Sequence, residues 1–407
     1  MKKKIGITLA VIALLVCIIS VVCLAGCKEE VPVETAQATT EANWAKINNK
    51  TATTSIQIQN AELSLGDGAM SITASAQIDL VRTWKDGVLT IDITAKPTDI
   101  DYDFGSLDSV VDGLIGSYVN FDKLTGLEFK GQAYYNYGSK DKTIGIRNMS
   151  VTGLKSAIPA LTDKNITDEA WEIAFMIDGQ RVTDVSYPVA ELNGLLESNE
   201  DVAGVIGMLF DENYTLDLGA IIDDLLLNQT LLDFSDSSKA TLAEGSYKNS
   251  VSALDNLNFL MNVWNNINET GMGIVSGLLS DEEAMNNLIP LDDSGENYVA
   301  LGTILKALIP DFSDAIPSLI ENITEDKQMN VSGTIADGIF TKLSMQTNDF
   351  RIVLDKDQVK AITDEVSRVL EVLGVELPIG SIIDAVAGGE AYLSLGNVVV
   401  SSTFNVA

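Results

Sequence analysis

Met70-Ser71-Ile72-Thr73-Ala74-Ser75-Ala76-Gln77-Ile78-Asp79-Leu80 alternates apolar and polar residues without a break. Successive side chains of an extended chain point to opposite faces, so this stretch predicts a strand with one apolar and one wet face. The same period of two governs most of the chain from Thr54 to about Tyr187 and predicts further strands over 88–96, 127–137, 143–151 and 171–177. Asp67-Gly68, Asp86-Gly87 and Asp178-Gly179 punctuate them. Such pairs suit tight hairpins, because glycine accepts positive φ without steric cost, so neighbouring strands are expected to be antiparallel. One helix is expected among them, since Leu107, Val110, Val111, Leu114, Ile115, Tyr118 and Val119 fall on a single helical stripe.

From Pro188 to about Thr324 the spacing becomes helical, predicting helices over 201–210, 216–232, 251–267, 271–279 and 297–309. Ile221, Leu225 and Leu232 belong to a segment that is apolar over more than one stripe, which fits deep burial or the wall of an apolar cavity. Strands return from Met329 through Asp337-Gly338, and an amphipathic helix is expected over 356–373. Strands over 391–395 and 398–404, joined through Gly396-Asn397, close the chain. The fold class expected is α+β: a curved antiparallel sheet from the N- and C-terminal strand regions, with a helical middle segment packed against it. The division expected is 44–188 strand-rich, 189–324 helical, and 325–407 a strand-helix-strand region able to form one domain with 44–188.

The N-terminus reads differently. Lys2, Lys3 and Lys4 precede an uncharged apolar run from Ile5 to Ala25, the n-region and h-region of a secretory signal. The run closes on Leu24-Ala25-Gly26-Cys27, which resembles the lipobox of bacterial prelipoproteins. That resemblance implies signal peptidase recognition through Leu24, Ala25 and Gly26, removal of residues 1–26, and diacylglycerol and palmitate chains on Cys27. It implies an extracytoplasmic protein anchored to the cell membrane. Residues 28–43 contain little that packs and read as a tether, placing the domain on average roughly 20–25 Å from the membrane.

Cys17 and Cys23 lie inside the signal, so the mature chain holds no disulfide and its fold rests on its core. The formal net charge of −32 becomes more negative by three once the signal lysines leave. Such a chain repels nucleic acid, whose binding depends on neutralising phosphates, and leaves anchoring to the acyl chains. The 407 residues contain no histidine, which with the lack of a mature thiol removes the Ser-His-Asp and Cys-His nucleophile systems and the usual zinc and haem ligands. Neither a Gly-x-Ser-x-Gly elbow nor a nucleotide-binding glycine loop occurs. No cofactor and no catalytic residue is therefore expected. Asp99, Asp101 and Asp103 share the first spacings of a calcium loop, but Phe104 and Val110 replace its glycine and glutamate. Their alternation with Ile100, Tyr102 and Phe104 fits a strand face, with a weak divalent site as the other reading.

Three function classes remain. The first is a non-enzymatic envelope protein whose curved sheet and apolar helices enclose an amphiphile, with Ile221, Leu225 and Leu232 lining the cavity. The stretch from Ile304 through Leu308-Ile309-Pro310, Ile316-Pro317 and Leu319-Ile320 is loosely similar to tubular lipid-binding proteins, and the half-barrel of bacterial lipoprotein carriers offers a comparable likeness. The second is a structural or interaction module whose partner is another envelope protein. The third is a carboxylate-based hydrolase, for which 58 acidic residues supply candidates without singling out a pair.

Overall fold

The computed structural model describes residues 49–66, 68–105, 116, 118–159, 169–177, 180–191, 193, 245–252, 288–290, 298–300, 328–336, 339–347, 351–360, 391–394 and 396–405. Three long strands form its centre: β1 (Lys50–Leu65), β2 (Met70–Lys85) and β3 (Val88–Asp103). They are followed by β4 (Glu128–Asn136), β5 (Thr143–Thr152), β6 (Trp171–Glu172), β7 (Phe175–Ile177), β8 (Gln180–Val182) and β9 (Asp184–Pro188). The rest of the chain adds β10 (Gly245–Ser252), β11 (Leu288–Pro290), β12 (Tyr298–Ala300), β13 (Gln328–Ala336), β14 (Ile339–Thr347), β15 (Arg351–Leu354), β16 (Ala391–Ser394) and β17 (Asn397–Asn405).

Thirteen of these strands make one sheet, in the order β10-β13-β14-β17-β1-β2-β3-β4-β5-β6, with β9 also on β5 and the pair β16-β15 beside the far half of β1. Every pairing is antiparallel. The Asp86-Gly87 turn between β2 and β3 has φ of 52° and 77°, the two positive values a type I′ hairpin requires. Between β16 and β17 there is no hairpin. Both strands pair with β1, β17 along Thr51–Gln59 and β16 along Glu62–Ser64, and Gly396 turns the corner between them with φ 63°. At that corner β1 carries a bulge: the register slips between Ile58 and Ala61, and Asn60 takes φ 58°. A second bulge puts Thr98 into β3 between Pro97, opposite Ala76, and Asp99, opposite Ser75. Because each adds one residue to one strand, apolar positions beyond it stay on the same face.

The expected α+β class is wrong. The described residues are mostly antiparallel β, with thirteen strands in one large open sheet. The described parts of 189–324 after residue 193 are β10, β11 and β12; the end of β10 and the whole of β12 overlap the first residues of the helices expected over 251–267 and 297–309. In β10, Tyr247, Asn249 and Val251 alternate with Lys248 and Ser250, a period of two that register with β13 rewards with a full ladder. Short apolar runs such as Leu288-Ile289-Pro290 and Tyr298-Val299-Ala300 do not distinguish strand from helix by spacing alone, and their β-branched and aromatic members suit a pleated surface. The helices expected over 201–210, 216–232 and 271–279 lie outside the described residues, as do most of 107–119 and 361–373.

A candidate binding trough on the inner face

The registers put Ala52, Thr54, Ile56 and Ile58 of β1 opposite Arg82, Leu80, Ile78 and Ala76 of β2. These pair onward with Ile91, Ile93, Ala95 and Pro97 of β3, while β17 brings Phe404, Ser402, Val400 and Val398 to the other side of β1. This is the inner face. At one end it is bulky and closed: Trp84 and Leu89 are 0% exposed, Tyr135 1% and Phe404 6%. At the other end Leu65, Met70 and Phe104 are buried with Ile352 and Leu354, and the rings of Tyr102, Phe104 and Phe121 stand 4.9–5.6 Å apart. Between the two clusters the side chains shrink. Ala61, Ala74, Ala76 and Ala95 occupy the middle with Ile56, Ile58, Ile78 and Ile93, and all eight are only half-buried. Small residues flanked by bulk lower the middle of this face into what is called the trough below, and its half-buried aliphatics are apolar surface that water still reaches, as it reaches Ser75 and Gln77 on the other face.

Arg82 sits at the closed end of this trough. Its register neighbours are Ala52 and Ile91, both apolar. The guanidinium leans one residue toward the trough, where Nη2 donates to Thr54 Oγ1 at 3.1 Å and to Ser402 Oγ at 3.2 Å. Those two hydroxyls are themselves 2.9 Å apart and bonded to each other. Trp84 stands behind, with its ring centroid 5.7 Å from the guanidinium carbon and 5.6 Å from the ring of Phe404. Nε is sealed from solvent with no acceptor among the described residues, although the residue as a whole keeps partial exposure. Nη1 donates to nothing among the described residues. Burial pushes the Arg82 guanidinium down to about 10, and no acidic neighbour among the described residues opposes the shift. At neutral pH it is still a cation.

Carboxylates occupy the opposite face. Asp79, Asp92 and Asp184 lie in the polar phase, and a lateral chain runs across it: Gln132 Nε2 donates to Asp92, Arg147 Nε donates to Gln132, and Arg147 Nη1 is 3.9 Å from Asp184. Asp99, Asp101 and Asp103 are exposed on β3, spaced along one face at roughly 7 Å per pair of residues. Asp101 accepts the N–H of Tyr102 and Asp103 that of Gly105, and among the described residues no three acidic, histidine or cysteine side chains converge on a common point. Leu24, Ala25, Gly26 and Cys27 lie outside the described residues, as do Ile221, Leu225 and Leu232.

Arg82, Thr54 and Ser402 are the polar residues that sequence reading passed over. The signal was the phase of the alternation: carried past Leu80, it places Arg82 among Ile78, Leu80 and Trp84, on the side that should hold no charge. Comparison with protein-family models, with curated proteins and with solved structures finds no match. Among the described residues no helix is long and apolar enough to cross a membrane.

Proposed function

We propose that this protein is a lipid-anchored, extracytoplasmic envelope protein that binds an amphiphile along the inner face of its sheet and catalyses no reaction. The single observation that carries the binding role is the half-buried trough of alanines and isoleucines between two closed apolar clusters. Protein interiors are close-packed, so small residues left half-open at the centre of an apolar face leave room for a guest. From Arg82 to Ala76 the face runs about 20 Å, which accepts a chain long enough to cross half of a bilayer's hydrocarbon core, about 15 Å. Anchoring rests on the likeness of Leu24-Ala25-Gly26-Cys27 to a lipobox. An interaction module would dock through an exposed apolar patch. Among the described residues the one large apolar side chain open to solvent is Val353, at 37%.

Ala76→Trp tests the reading, because it fills the middle of the trough. In an open trough the indole should cost less than about 1 kcal/mol in chemical denaturation, where overpacking a filled core costs about 1–3 kcal/mol. It should also abolish binding of a fluorescent fatty-acid probe that the parent binds at one molecule per chain. Loss of stability in the variant together with no probe binding by the parent would remove the amphiphile role.

A further inference from the structure

A buried charge without a counter-charge is expensive, and proteins normally pair it or replace it by an apolar residue. Among the described residues Arg82 has no charged partner. Two hydroxyls take Nη2, while Nε and Nη1 have no acceptor among the described residues, and the side that carries it holds no carboxylate on β1, β2, β3 or β17. The chain has 58 acidic residues from which to supply a partner, yet those of the described sheet lie in the other phase. The position next to an apolar trough completes the chemistry: a cation at one end, aliphatic surface along the rest. We propose that Arg82 is the anion-recognising residue of the trough, and that the bound amphiphile carries a carboxylate or a phosphate monoester on a single long alkyl chain. This rests on the reading of the inner face as an amphiphile site. The head takes the free donors of Nη1, Thr54 and Ser402 hold the guanidinium in place, and the tail runs past Ile78 and Ala76. A guanidinium suits either anion, because its planar array of donors matches both.

The test uses the mature chain carrying Cys27→Ser, which removes the acyl anchor, and compares dodecanoate, dodecyl phosphate, dodecanol and inorganic phosphate by calorimetric titration at pH 7. The two anionic amphiphiles should bind at least about tenfold more tightly than dodecanol, the scale of one hydrogen-bonded charge, and inorganic phosphate should not bind. Arg82→Met should bring dodecanoate to within about twofold of dodecanol, leave dodecanol affinity in place, and raise the melting temperature because an unpaired buried charge is gone. Arg82→Lys should keep part of the preference, and the parent's own ratio of dodecanoate to dodecanol decides the matter even if the methionine variant fails to fold. Equal binding of dodecanoate and dodecanol by the parent, or a preference that survives Arg82→Met, overturns the anion assignment while the trough stands. Inorganic phosphate binding as tightly as dodecyl phosphate overturns it too, by showing an anion site with no use for a tail. Failure of all three alkyl ligands to bind the parent removes the amphiphile site itself, and the assignment with it.

Discussion

Trp84→Ala is expected to cost about 3–5 kcal/mol of folding stability, read as the midpoint of a urea or guanidinium transition. The indole has no exposed surface and stands where β1, β2, β3 and β17 meet, opposite Leu89 and against Phe404. Truncation leaves a cavity between strands whose ladders fix their separation, so the site cannot collapse to fill it. The indole Nε1 has no hydrogen-bond partner among the described residues, so the contribution is one of volume and contact. Trp84→Phe should therefore be far milder than Trp84→Ala, since it keeps much of the ring and removes a buried donor without an acceptor among the described residues.

Gly396→Ala is expected to cost about 3 kcal/mol or more, combining positive φ with overpacking against main chain. A Cβ at this position would fall within contact of the Gln59 carbonyl oxygen and stand 2.7 Å from the carbonyl carbon of Asn60 and 2.8 Å from the amide nitrogen of Ala61. All three are backbone atoms of the β1 bulge, and they cannot move without breaking the ladder that β16 and β17 share with β1. Gly68→Ala is the control. Its φ of 81° is equally left-handed, but no atom of the described residues lies within 4 Å of its added Cβ, so it should lose only about 1 kcal/mol. A difference of at least about 2 kcal/mol between the two variants would show that close approach at the corner, beyond backbone strain alone, holds the two C-terminal strands to β1.

How much of this was legible in the sequence followed from the period of each segment. Met70 to Leu80 alternates so regularly that strand, faces and apolar side could all be read, and Asp86-Gly87 named its turn. The corner at Gly396 could not be read, because a Gly-Asn pair between two strands looks the same whether the strands pair with each other or each with a third. The short strands β11 and β12 were harder to read: runs of three apolar residues satisfy helical and extended spacing alike, and only their pairing with each other decides between the two. The trough was hidden in residue size. Alanine and isoleucine count alike as apolar in an alternation, while only the assembled registers show that Ala61, Ala74, Ala76 and Ala95 fall together. Arg82 was visible as a break in phase at a single position, one that gains meaning only beside Thr54 and Ser402 from strands far away in sequence.

The most direct test of an amphiphile lying along the inner face is photo-crosslinking with a fatty acid bearing a diazirine midway along its chain, followed by peptide mapping of the adducts. The expected result is labelling confined to the inner phase of the central strands, at Ile58, Ala76, Ile78 and Ala95, and suppressed by unlabelled dodecanoate. Labelling of the polar phase instead, at Gln57 and Gln77, or labelling that excess dodecanoate does not reduce, would contradict it.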